Sequence, residues 1–162
     1  MDAPPLTPLA SAVLHVPVPE RALVLGCGNG EAVLFLAREF PAARVRGVDP
    51  SEALIREARS RIGLDPEGRV AFKVAASGAL PYPDDHFDLV AQLDGRPAIA
   101  EIARVLRPGA HLIRTGPRRS RFASSVAEAL RQRRLARWGI GPVQTGQVGG
   151  GNFYVGRLRP DG

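Results

Sequence analysis

Three glycines spaced two apart, Gly26, Gly28 and Gly30, follow the apolar run Ala22, Leu23, Val24 and Leu25, and Asp49 ends a second apolar run over 45–48. A glycine turn between a buried strand and a helix start lets backbone approach a ligand with no side chain in the way. An acidic residue about 20 positions later, at the end of the next strand, is placed to bind the two hydroxyls of a ribose. A carboxylate suits that task because each of its oxygens can accept a hydrogen bond from one of two adjacent hydroxyls. A dinucleotide turn needs G-x-G-x-x-G, whose last glycine would fall on Glu31. The pattern here is G-x-G-x-G. It argues against NAD and for a nucleoside ligand without a pyrophosphate.

The elements that must position these residues alternate between strand and helix, the signature of a parallel sheet covered by helices. Strands are expected over 22–25, 45–48, 70–74, 87–93 and 111–114, with a closing antiparallel hairpin of 143–148 and 152–158 around the triple glycine 149–151. Helices are expected over 9–14, 30–40 (stopped by Pro41), from the Ser51 cap onward, over 97–106 (ended by Pro108-Gly109) and over 120–138. In such a sheet a ligand sits beyond the carboxyl ends of the strands, where strand order reverses. The glycine turn, Asp49 with Pro50, and the loops after Val74 and Leu93 then surround one crevice.

The blocks ALVLGCGNG, GVDPSEALIREAR, ALPYPDDHFDLV and EIARVLRPGAHLI, in that order over residues 20–117, resemble the class I S-adenosylmethionine-dependent methyltransferases, in particular their small-molecule branch. The resemblance implies an α/β, Rossmann-like, doubly wound, mostly parallel seven-stranded sheet with a C-terminal antiparallel hairpin. It implies S-adenosylmethionine as cofactor, methyl transfer to a small acceptor, and a cytoplasmic enzyme. Gly26, Cys27, Gly28 and Gly30 would lie under the methionine and ribose parts of the cofactor. Asp49 would take the ribose hydroxyls beside Pro50, and Ala76, Ser77 and Leu93 would line the rest of the cleft. Residues 118–158 fit the end of that fold less specifically, and residues 1–19 form a segment ahead of a single domain over 20–162.

The chain departs from the family at three places. An acidic residue usually stands two positions before the first glycine, where this chain has Val24. A polar side chain usually meets the adenine amino group from the loop after the third strand, where this chain has Ala76, leaving Ser77 or a backbone amide to take over. Losing one such hydrogen bond costs about 1–2 kcal/mol, or roughly tenfold in affinity. The strand's last residues Gln92 and Leu93 are followed by only Asp94, Gly95 and Arg96 before the helix, so the acceptor side is expected to be open or closed by a second copy in a homodimer. The competing function is an S-adenosylmethionine-binding module without turnover, acting as a regulatory or partner subunit.

Candidate catalysts are few. Methyl transfer is an in-line displacement from an activated sulfonium, so alignment supplies most of the rate, and a base is needed only where the acceptor must lose a proton. Asp94 is the best-placed base, with an Asp-Gly turn as its other reading. His15 lies in the N-terminal segment, His86 on the amino edge and His111 at a strand start; none is a strong candidate. Cys27 reads as a small filler inside the turn. With one cysteine in 162 residues the chain has no internal disulfide, which suits a reducing cytoplasm. No apolar run approaches the roughly 20 residues of a membrane span. No metal-ligating cluster is expected.

Charge is unevenly placed. The net +6 lies wholly in residues 82–162, and Arg114 to Arg137 hold eight arginines against Glu128 alone. Arg118, Arg119 and Arg121 follow the fifth strand and could attract an anionic acceptor. Aromatic residues other than Phe122 and Trp138 do not interleave with these arginines, so a solvated, substrate-steering surface is favoured over a nucleic-acid site.

Overall fold

β1 (Arg21–Leu25) is apolar throughout because both its faces are covered: Ala22, Leu23, Val24 and Leu25 are each 0% exposed, the pattern of a central parallel strand. In the computed structural model, which describes residues 6–93, 95–96, 98–117 and 121–160 (side chains from 126 onward in the last stretch), β1 lies between β2 (Arg44–Asp49) and β4 (Phe87–Leu93). β3 (Val70–Val74) flanks β2, and β5 (Leu106–Pro117) flanks β4. β6 (Ile140–Val148) and β7 (Gly151–Leu158) complete a seven-stranded sheet of order β3-β2-β1-β4-β5-β7-β6. β1 to β5 run parallel; β7 is antiparallel to both β5 and β6. The expected fold class is the one observed. Strand order reverses between β1 and β4, so their carboxyl ends open the crevice.

One face of the sheet carries α1 (Thr7–Ala12), α2 (Glu31–Glu39) and α3 (Glu52–Ser60). They bury Leu9, Val33, Leu36 and Ile55 against Phe72, Leu89, Ile113 and Val155. The other face carries α4 (Ile99–Val105) and α5 (Arg121–Arg137), which set Ile102, Val105 and Leu135 against Leu23, Val90, Leu112 and Tyr154. α3 starts where the sequence places it, with the Ser51 hydroxyl accepting from the Leu54 amide at 3.2 Å.

β3 and β4 coincide with their expected limits, but β5 does not. It begins at Leu106, directly after α4, and pairs Leu106 with Phe87 before a bulge; pairing resumes at His111 with Leu89. The bulge absorbs Pro108, which has no N–H for the ladder, and Gly109, whose φ is +83°. These two residues therefore kink a strand, where the sequence suggested that they terminate a helix.

No helix covers residues 75–86 between β3 and β4. Arg104 holds this segment instead: it donates to the carbonyls of Leu80 (3.2 Å) and Tyr82 (2.9 Å) and to Asp84 Oδ1 (2.8 Å), while Glu101 Oε2 accepts from the Leu80 amide at 2.7 Å. The Arg104 side chain and the Leu80 amide pull the Glu101 carboxyl down from 4.5 to about 2. A carboxyl depressed by folding stabilises the fold fully above its ordinary value and loses that contribution as pH falls towards the folded value. Thermal melts should show Glu101→Gln below wild type at pH 6, with the gap closing between about pH 4.5 and 2.

Candidate functional site

The glycine turn is tied to β2. The Cys27 amide donates to the Val48 carbonyl at 3.0 Å, and the Gly30 amide to the Cys27 carbonyl at 3.0 Å. Gly26, Gly28 and Gly30 have φ of +63°, +53° and +90°, a region that side chains disfavour. At Gly26 and Gly28 no atom of the described residues lies within 4 Å of where a Cβ would stand, which leaves their backbone open to a ligand on that side. Gly30 differs: its absent Cβ would meet Phe72 Cζ at 2.8 Å and Ala58 Cβ at 3.0 Å. Two of the glycines leave room for a ligand. The third lets α2 close onto β3 and α3.

Asp49 stands at the end of β2, only 9% exposed. Its Oδ2 accepts from the Gly28 amide at 3.1 Å and its Oδ1 from the Ser51 amide at 2.9 Å. Each oxygen keeps a further acceptor position, so the carboxylate is oriented by backbone yet still able to take two hydroxyls. The residues present fit a ribose beside an open glycine turn.

Cys27 is buried within the turn; burial, with the Asp49 charge adding, pushes its thiol up to about 12 and leaves it neutral at ordinary pH. The Ala75 amide donates to the Asp49 carbonyl at 3.1 Å, which sets the loop carrying exposed Ala76 and half-buried Ser77 beside Asp49 and exposed Pro50. Leu93, 7% exposed, ends β4 one strand from the turn, since Leu25 pairs with Gln92. Val24 is fully buried between Gly47 and Ala91. Asp94, Arg118 and Arg119, and the side chain of Arg121, lie outside the described residues. The histidines stand apart: His15 stacks on Phe153 at 5.8 Å, His86 on Tyr82 at 6.1 Å, and His111 pairs with Leu89 within β5. Burial and neighbouring arginines lower the pKa of both His86 and His111. Among the described residues no group of three His, Cys, Asp or Glu could hold a metal ion, and no helix is long and apolar enough to cross a membrane.

A cavity of about 700 Å³ opens on the α4–α5 side of the sheet, at the carboxyl ends of β4 and β5. Arg96, Arg114, Arg131, Arg134, Glu128 and Tyr154 contribute to its lining. Gln92, Arg114 and Tyr154 form a row across β4, β5 and β7, and Gln92 and Arg114 each follow an apolar stretch, 89–91 and 112–113. A polar residue near the carboxyl end of a buried strand is the sequence signal that could have found them.

The methyltransferase-domain family matches residues 22–109, over half of the chain. The O-methyltransferase cnsE of Penicillium expansum is 40% identical over 102 residues, which cover 58% of this chain and 37% of that protein. The chain spans about two fifths of the length of the curated relatives it matches. A SAM-dependent methyltransferase from Aquifex aeolicus superposes with a TM-score of 0.78 at 18% identity, covering 94% of this chain and 90% of that one. The methyltransferase in a complex with the Haloferax volcanii Trm112 activator gives 0.79 at 19% identity, covering 95% and 90%. The chain belongs to the methyltransferase-domain family and has the class I fold whose cofactor is S-adenosylmethionine.

Proposed function

We propose that this domain transfers a methyl group from S-adenosylmethionine to a small-molecule acceptor. The observation that carries the reading is the Asp49 carboxylate, oriented by the Gly28 and Ser51 amides at the mouth of an unobstructed glycine turn. In this reading Asp49 accepts both ribose hydroxyls, and the Gly26–Cys27–Gly28 backbone lies against the methionine part. Pro50, Ala76, Ser77 and Leu93 flank the adenine. Held there, S-adenosylmethionine would supply a methyl carbon already bonded to its sulfur leaving group, so that an acceptor lone pair could take the methyl while the carbon–sulfur electron pair returned to sulfur. The protein's task is to hold acceptor and methyl in line, with Asp94 as the base for an acceptor that must lose a proton.

A second reading, cofactor binding without turnover, is favoured by the fully buried Val24 and by Ala76, which offers no polar side chain. Calorimetric titration with S-adenosylmethionine and S-adenosylhomocysteine, followed by a radiolabel transfer screen over small acids, amines and phenols, separates the two. Micromolar binding with label transfer is the expected result. Binding with no transfer to any acceptor selects the second reading, and no binding at millimolar ligand removes both.

A further inference from the structure

An edge strand offers a row of unpaired N–H and C=O groups that can template pairing with another chain; shortness, lysines, prolines and bulges are the features that blunt it. The sheet has two edges, β3 and β6, and they differ. β3 has only five residues and carries exposed Lys73. β6 has nine residues and no charged side chain. Its first half is blunted, because Pro142 has no N–H to offer and the register with β7 slips between Pro142 and Gln144. Nothing of the kind protects residues 144–148. They pair one for one with β7 on their inner side and, among the described residues, with no strand on their outer side. Gln144, Thr145 and Gln147 are exposed. The Thr145 carbonyl accepts from Gln144 Nε2 at 3.3 Å, an exposed bond within the strand itself, so this backbone oxygen is open to a donor from outside the sheet.

The occupant that fits is a second copy of this chain. A net charge of +6 opposes self-association over much of the surface, but 144–148 is neutral, so two copies meet there without opposed charges. Exposed Arg133, Arg134 and Arg137 stand at the end of α5, just ahead of Ile140, and so lie by the start of β6. Gly146 is about 20 Å further along the strand, beyond the roughly 8 Å over which exposed charges act at physiological salt. Antiparallel pairing about a two-fold axis at Gly146 sets Thr145 opposite Gln147 of the other copy and Gln144 opposite Val148. It also carries the two sets of arginines to opposite ends of the joint. We propose that β6 is a homodimer interface in which residues 144–148 of two copies pair in this way and join the two sheets into one. The edges left over are the blunted β3 strands, so assembly stops at two. The pairing stands whether or not the domain transfers methyl groups.

Sedimentation velocity across micromolar protein concentrations is the test. Wild type should sediment with twice the mass of the chain. Thr145→Lys combined with Gln147→Lys places lysines directly opposite one another and should raise the dimer dissociation constant about tenfold or more. Thr145→Glu combined with Gln147→Glu should do the same. Mixing the two double variants should restore a dimer, because each lysine then meets a glutamate, and a misfolded chain could not produce that rescue. Lys73→Glu, on the opposite edge, should leave the dimer as it is. A monomeric wild type, a dimer indifferent to the charges placed on β6, a dimer lost in Lys73→Glu, assemblies larger than two, or a mixture that stays monomeric would each overturn the assignment.

Discussion

Asp49→Ala should weaken S-adenosylhomocysteine binding by at least about 100-fold, because two hydrogen bonds to a charged acceptor are worth roughly 3–6 kcal/mol together. The loss has two sources. The ribose hydroxyls lose their acceptor, and the Gly28 and Ser51 amides, now bonded at 3.1 and 2.9 Å, lose the group that fixes the turn against β2. Asp49→Asn is the sharper variant. It preserves shape, but since each carboxylate oxygen accepts from a backbone N–H, the new NH₂ must face one of those donors. Binding should fall here too, with a smaller loss of stability than in Asp49→Ala. Wild-type affinity in either variant would remove the ribose from Asp49.

Gly30→Ala should be the most destabilising single-methyl change in the glycine turn, by about 2–5 kcal/mol in urea unfolding. Part of that, roughly 1–2 kcal/mol, is the cost of placing a side chain at a φ of +90°. The larger part is collision: the new methyl would stand 2.8 Å from Phe72 Cζ, in a ring only 3% exposed, and 3.0 Å from the fully buried Ala58 Cβ. Gly28→Ala is the control. Its φ is +53° but its surroundings are open, so only the conformational cost of about 1–2 kcal/mol remains, together with weaker cofactor binding. Phe72→Leu, which removes the colliding ring, should recover part of the Gly30→Ala loss when the two are combined. Equal losses at positions 28 and 30 would mean that α2 does not close as tightly onto β3 as described.

The legible parts of this chain were those encoded over short distances. A run of four apolar residues, a glycine turn and the Ser51 cap are local: β1, β3, β4 and α2 stand within about two residues of their expected limits, and α3 starts directly after its expected cap. Asp49 was legible because the span from turn to strand end is fixed by one helix and one loop. Pro108 and Gly109 misled because the same pair that stops a helix also forms a strand bulge, and only pairing with β4 decides between them. The support of segment 75–86 was invisible for a different reason. It depends on Arg104 meeting groups more than twenty positions away, such as the Tyr82 and Leu80 carbonyls. The arginine cavity was half legible. The basic stretch was plain, but in one dimension Arg131 and Arg134 cannot be told from a solvated helix face, and Arg96 and Arg114 become their neighbours only once β4, β5 and α5 are side by side.

The sheet order also bears on how the protein is made. β7 is translated after all the other strands, yet it lies between β5 and β6. Until residue 158 has cleared the ribosome, β5 has one open edge and β6 has no partner, and unpaired edges invite association with other chains. At a translation rate of roughly 5–20 residues per second, that exposure lasts only seconds. A ribosome that stalls just short of β7 would prolong it, leaving a nascent chain with its glycine turn already formed and its sheet still open.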